Sequence, residues 1–135
     1  MRPDLVLAAA CLLAACGGGT GSECTVDDDC GGGLVCARNS ECLAPGSVRS
    51  ARVTWTIRGM PASSTTCGAT PSFYILFHAQ PGDSFGFEPV PCAAGLFSID
   101  KLPRRFVSVE IGVDGGFEDD KAFDSQGSAS FDLYP

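Results

Sequence analysis

The chain has 135 residues, with nine Lys or Arg against 16 Asp or Glu and a net charge of −7. That balance argues against nucleic acid as a partner and against binding to anionic lipid through a basic patch, since both need positive surface. The 17 glycines and nine prolines suit a turn-rich β protein rather than a helical one, and the length holds one compact domain plus a small appendage.

Residues 1–15 have the order of a secretory signal. Arg2 opens the segment, Leu5 to Ala14 is uncharged, and small residues lead into a cysteine. The apolar run is too short to cross a bilayer as a helix. Leu13-Ala14-Ala15-Cys16 resembles the lipobox of bacterial lipoproteins. The resemblance implies cleavage before Cys16, lipidation of that cysteine, and membrane contact through the acyl chains alone. An ordinary signal peptide cut near Ala15 is the alternative, but Gly17-Gly18-Gly19 supplies the flexible tether that an anchored domain needs. Cys11 also follows small residues, yet cleavage there would leave Leu12-Leu13 exposed at the mature end. Residues 16–23 are therefore the expected lipidated cysteine and tether, the glycine-rich part reaching roughly 13–16 Å. Gly17 stands where many lipoproteins retained at the inner membrane carry aspartate, which implies lipid-anchored placement at the outer membrane. Removing residues 1–15 takes away Arg2 and Asp4 and leaves the net charge at −7.

The eight cysteines are Cys11, Cys16, Cys24, Cys30, Cys36, Cys42, Cys67 and Cys92. Once Cys11 leaves with the signal and Cys16 carries lipid, an even set remains, and an exported chain meets an oxidising compartment where pairing is the default. Residues 24–46 are expected to form a disulfide-rich segment and linker. Its four cysteines recur every six residues, and within residues 24–42 only Val26, Leu34 and Val35 are large and apolar. Such a piece has no hydrophobic core and needs disulfides or metal. Zinc sites favour close C-x2-C pairs, so the wider spacing and export argue for disulfides, with three connectivities open. Asp27-Asp28-Asp29 reads as a solvated turn, because calcium loops space their carboxylates on alternate positions and close with a distant Glu. The acidic C-x-x-D-x-D-C-x-x-G-x-x-C core resembles small cysteine-rich repeats, distantly like the Dickkopf cysteine-rich region, that precede larger domains in bacterial lipoproteins. That resemblance implies the interleaved pairs Cys24–Cys36 and Cys30–Cys42. Cys67 and Cys92 are the remaining pair, whose loop of about 25 residues is worth on the order of 3 kcal/mol to close.

From residue 47 the pattern changes to strands, and residues 47–135 are expected to form a β-sandwich domain. Val53, Trp55 and Ile57 alternate along one strand. Pro61 through Thr66 reads as a loop. Phe73 to Ala79 is apolar on both faces, as expected for a central strand, and Pro81-Gly82 supplies a turn. Phe85 and Phe87 alternate before Pro89 and Pro91, which suggest an edge or a crossover. Phe97 and Ile99 alternate before Leu102-Pro103. Val107, Val109, Ile111 and Val113 predict a long one-faced strand, Asp114-Gly115-Gly116 a hairpin turn, and Ala129, Phe131 and Leu133 a last strand. The sum is an all-β chain, an antiparallel β-sandwich of about seven strands preceded by a small disulfide-rich segment. The stretch from Gly95 to Pro103, with its Phe97, Ile99 and Leu102-Pro103, and the alternating run from Val107 resemble prealbumin-like and carboxypeptidase-regulatory-like β-sandwiches. The match spans about twenty residues, with Arg105 near a usual glycine and Val107 in place of a usual tyrosine. These domains are scaffolds, so the resemblance implies a fold and carries no functional residue.

Little in the chain suggests chemistry. His78, the single histidine, alternates with Tyr74 and Leu76 and reads as packed or edge-facing, and no nucleophile-elbow pattern accompanies it. With one histidine and no free thiol expected, no catalytic residue, metal ligand or cofactor is expected. Asp114, Glu118, Asp119 and Asp120 read as a solvated acidic loop, with weak calcium binding the alternative. Arg104-Arg105 reads as a solubilising surface pair, and Trp55 as core; an outward Trp55 would instead suggest a carbohydrate platform. The expected role is that of a non-catalytic cell-envelope lipoprotein presenting a β-sandwich for a protein or glycan partner or for a structural task. The alternative is an accessory carbohydrate-binding module of an extracellular enzyme system.

Overall fold

A computed structural model describes residues 23–135. The expected signal over 1–15, the lipidation site Cys16 and the tether residues 17–22 lie outside the described residues. Glu23, expected in the tether, instead forms an antiparallel bridge with Glu41 and so belongs to the disulfide-rich segment.

That segment is a knot around a minimal ladder. Strands β1 (Val35–Cys36) and β2 (Cys42–Leu43) pair antiparallel, with Cys36 opposite Cys42. Disulfides join Cys24 to Cys36 and Cys30 to Cys42, the interleaved pattern implied above. Asp27–Asp29 form a single 3-10 turn in which the carboxylates of Asp27 and Asp29 are engaged. Asp29 Oδ2 accepts from the backbone N–H groups of Thr25 at 2.8 Å and Val26 at 3.1 Å, and Asp27 Oδ1 accepts from the N–H of Cys36 at 2.8 Å. The turn thus closes the knot, which a merely solvated turn would not do.

Two sheets follow. In one, the long strand β3 (Val48–Ile57) is central, with β10 (Ser128–Leu133) on one side and β7 (Leu96–Pro103) and the short β4 (Met60–Pro61) pairing along it. The other sheet has the order β6-β5-β8-β9, from β5 (Ser72–Ala79), β6 (Ser84–Pro91), β8 (Phe106–Gly112) and β9 (Glu118–Ala122), and is antiparallel throughout. The sandwich is antiparallel except where β10 lies parallel to β3. β10 arrives from the opposite sheet, so no hairpin dictates its direction. The edge strand β6 carries Pro89 and Pro91, as a strand spared a second ladder allows.

Alternation makes the core. Val53, Trp55 and Ile57 of β3, Phe73, Ile75 and Phe77 of β5, and Phe131 and Leu133 of β10 turn inward into one cluster. Phe77, with no exposed surface, lies at its centre, with the rings of Phe85, Phe87, Phe97 and Phe123 at 5.5, 6.2, 6.2 and 6.0 Å. The disulfide Cys67–Cys92 ties the end of a four-residue helix, α1 (Ser64–Cys67), to the 3-10 turn after β6. This helix lies in the stretch expected to be loop. Ser63 caps it, accepting from Thr66 N–H at 3.1 Å.

Val107 and the acidic loop also need correction. Val107 does not share a face with Val109 and Ile111: opposite Ala79 the register slips and two residues of β8 face one of β5. Phe106 is buried in its place, and Val107 is 38% exposed. Glu118, Asp119 and Asp120 are not loop residues but the edge strand β9, paired with Gly112, Ile111 and Glu110.

Replacing Phe77 by Ala should remove about 3–5 kcal/mol of stability, read by denaturant unfolding with the disulfides intact. A loss below about 1 kcal/mol would mean that the ring cluster does not carry the core.

Candidate binding face

The strand ends define two poles. The starts of β3, β8 and β10, the corner between β7 and β8, and the knot share one pole. The α1 region, the Cys67–Cys92 disulfide and the β8–β9 hairpin share the other.

The knot is fixed to the first pole by charge. Arg105 forks onto Glu41, with donor–acceptor distances of 2.6 and 2.8 Å, and reaches Asp83 at 3.1 Å. Lys101 Nζ lies 2.7 Å from both oxygens of Asp27, and Arg38 donates to Asp100 at 2.6 Å. A bulge in β7 opposite Arg49–Ala51 puts Lys101 at φ 51. This left-handed geometry costs a non-glycine residue about 1 kcal/mol or more and turns its carbonyl to the Arg38 N–H at 3.2 Å. Arg104 holds the linker, its side chain bonding the carbonyl of Gly46 and its N–H that of Ser47. The arginine pair is therefore an internal clamp rather than a solubilising surface pair. Hydrogen bonds from Lys101 and the Cys36 N–H hold the Asp27 carboxyl below its ordinary value, and the Arg105 fork does the same for Glu41. Both groups favour the folded state above the usual carboxylate range, and that contribution disappears as the pH falls through the lowered values.

The outer face of the β6-β5-β8-β9 sheet is the most distinctive surface. Register sets its rows: Ser84, His78, Ser108 and Ala122; then Gly86, Leu76, Glu110 and Asp120; then Tyr74, Gly112 and Glu118, with Glu88 beside Tyr74 at a register shift. Two glycines make room for their neighbours. A Cβ on Gly112 would stand 2.6 Å from the Tyr74 hydroxyl, and one on Gly86 2.4 Å from the Ile75 carbonyl and 3.0 Å from Leu76 Cδ1. Tyr74 therefore lies across Gly112. Its hydroxyl donates to Glu110 Oε1 at 2.6 Å, while Glu110 Oε2 is 3.2 Å from His78 Nε2. The bond to Glu110, aided by desolvation and by the nearby charges of Glu118 and Asp114, pushes the Tyr74 phenol well above its ordinary range. Beside this trio runs an open groove lined by Tyr74, Leu76, Gly86, Phe87 and Glu88.

His78 thus lies on the outer face. Its Nε2 is turned to Glu110 and not to Ser108, so no serine on this face is hydrogen-bonded to a base. Trp55 is core at 3% exposure, and its Nε1–H donates to the Cys92 carbonyl at 2.8 Å. Sulfurs of Cys24, Cys30 and Cys36 lie within 4.8 Å of one another but belong to the two disulfides and offer no thiolate. Among the described residues no trio of carboxylates converges as a cation would require, because alternate residues of β9 point to opposite faces. Tyr74 and Glu110 escaped the sequence reading. They are 36 positions apart, and only the register of two long strands brings them together.

No protein family, no curated protein and no solved structure matches this chain.

Replacing Glu110 by Gln in a Tyr134→Phe background should return the ionisation of Tyr74 toward the ordinary tyrosine value of about 10, followed by phenolate absorbance. The stability that the raised phenol contributes is fully present below about pH 10 and disappears as the pH climbs through the shifted value. An unmoved titration midpoint would remove Glu110 as the cause.

Proposed function

We propose that the protein is a non-catalytic, lipid-anchored lipoprotein of the bacterial cell envelope that presents its β-sandwich to a protein partner. One observation carries the reading. The six cysteines beyond Cys16 pair among themselves, Cys24 with Cys36, Cys30 with Cys42 and Cys67 with Cys92. Complete pairing suits an exported chain and leaves Cys16, at the end of the lipobox-like Leu13-Ala14-Ala15-Cys16, available for lipid once residues 1–15 are removed. The interleaved bridges suit kinship with the cysteine-rich repeats, and the buried Leu102-Pro103 closing β7 suits kinship with prealbumin-like sandwiches. Gly17 favours the outer membrane.

The arrangement gives the anchor a direction. The chain enters at Glu23 in the knot, and ion pairs hold the knot to one pole of the sandwich. A lipid at Cys16 would therefore keep that pole near the bilayer and project the hairpin pole outward. The carbohydrate-module alternative loses its platform, because the single tryptophan is core. Neither reading calls for a cofactor.

Intact-mass measurement on the natively expressed protein tests this. The expected mass starts at Cys16, includes acyl chains and lacks the hydrogens of six oxidised thiols. Cys16→Ser should lose the lipid and move the protein from the membrane fraction to the soluble one. A product that keeps Met1, or one with free thiols, would overturn the reading.

A further inference from the structure

The cations of this chain are concentrated at the knot pole. There Lys101 neutralises Asp27, Arg38 neutralises Asp100, and Arg105 serves Glu41 and Asp83. The outer face of the β6-β5-β8-β9 sheet has none. Its outward positions include no Lys or Arg, and the one lysine of β9, Lys121, turns inward to the Ser130 carbonyl at 2.6 Å and the Phe131 ring. Glu88, Glu118 and Asp120 are exposed on this face, and their side chains make no ion pair or hydrogen bond with the described residues. Neighbouring strands stand about 4.8 Å apart and same-face residues of one strand about 6.8 Å. Glu110, Glu118 and Asp120 therefore lie within a Debye length of about 8 Å, and their fields add rather than being screened apart.

We infer that this face docks a cationic segment of a partner protein, with Lys or Arg side chains against Glu88, Glu118 and Asp120 and an apolar side chain in the groove beside Leu76. The inference rests on the binding-module reading above and names the chemistry of the partner. Gly86 and Gly112 keep the face low, so that Leu76 and Tyr74 lie along the sheet and leave the groove open. A pattern of charge around an apolar slot suits a polypeptide that alternates basic and apolar side chains. It does not suit a single metal ion, which needs oxygens converging on one point, nor anionic lipid, which the carboxylates repel. The acidic rows lie toward the hairpin pole, where an approaching protein meets no knot, and carboxylates gathered on one face raise its rate of encounter with a basic partner.

The test uses the intact, oxidised protein and two probes, an acetylated Lys-Leu-Lys-Leu-Lys amide and its Glu-Leu-Glu-Leu-Glu counterpart, followed by amide chemical shifts. The basic probe should give saturable shifts centred on Tyr74, Leu76, Gly86 and Asp120 that shrink with added salt, and the acidic probe should give none. The double variant Glu88→Lys with Asp120→Lys removes no contact within the fold. It should bind the basic probe about tenfold more weakly with an unchanged melting temperature. Absence of saturable shifts, shifts centred on the knot aspartates, or undiminished binding by the variant would each overturn the inference. The mass measurement separates the two readings: an acylated product without peptide shifts removes only the docking face, and an unacylated product removes the anchor whatever the peptide does.

Discussion

The two-residue corner at Arg104-Arg105 carries the chain from β7 in one sheet to β8 in the other, and most of the architecture converges on it. Leu102 and Phe106, on either side, are fully buried, so the corner is fastened to the core of both sheets. Outward, its two arginines reach the linker, the knot and a neighbouring turn: Arg104 bonds the linker carbonyls, and Arg105 holds the knot through Glu41 and the β5–β6 turn through Asp83. The planar guanidinium suits this task, since one side chain satisfies a carboxylate in two-point fashion and still reaches a second. Each exposed pair alone contributes little, because solvent screens it and two long side chains must be ordered. The fork, the Lys101–Asp27 pair and the Arg38–Asp100 pair act together on a segment whose own shape the disulfides already fix, so little ordering entropy opposes them.

The clamp has an electrostatic consequence elsewhere. With most of its basic side chains drawn to one pole, a chain of net charge −7 leaves the outer face of the second sheet strongly negative. Glu110 is the one carboxylate there that finds partners, and they are neutral or titratable, Tyr74 and His78, rather than cationic. The proposed anchoring direction and the inferred docking face both draw on this one distribution of charge. A knot that must be held down takes the arginines, and the face that remains is acidic.

Alternation was readable wherever one face is buried. Val53, Trp55 and Ile57, or Ala129, Phe131 and Leu133, declare their strands without help, and the glycine-bearing turn after Val113 declares its hairpin. Val107 misleads as a face-mate of Val109 and Ile111, because a bulge is set by the partner strand and leaves no mark on a run of alternating valines. Glu118 to Asp120 looked like loop because acidic residues have poor strand propensity, yet an edge strand needs only the backbone of β8 to pair with. Arg105 looked like surface because its partner Glu41 is 64 positions away. The same remoteness hid Tyr74 and Glu110. Local pattern reported the core, whereas the site is made of long-range pairs between residues that are individually ordinary.

If the corner clamp organises the molecule, the knot and the sandwich must tumble as one body. Backbone nitrogen-15 relaxation on the oxidised protein tests this directly. The account predicts one rotational correlation time for amides of residues 24–42 and 48–133, with the knot gaining a shorter one when Arg105 is replaced by Ala. A shorter correlation time for the knot in the unaltered protein would contradict it.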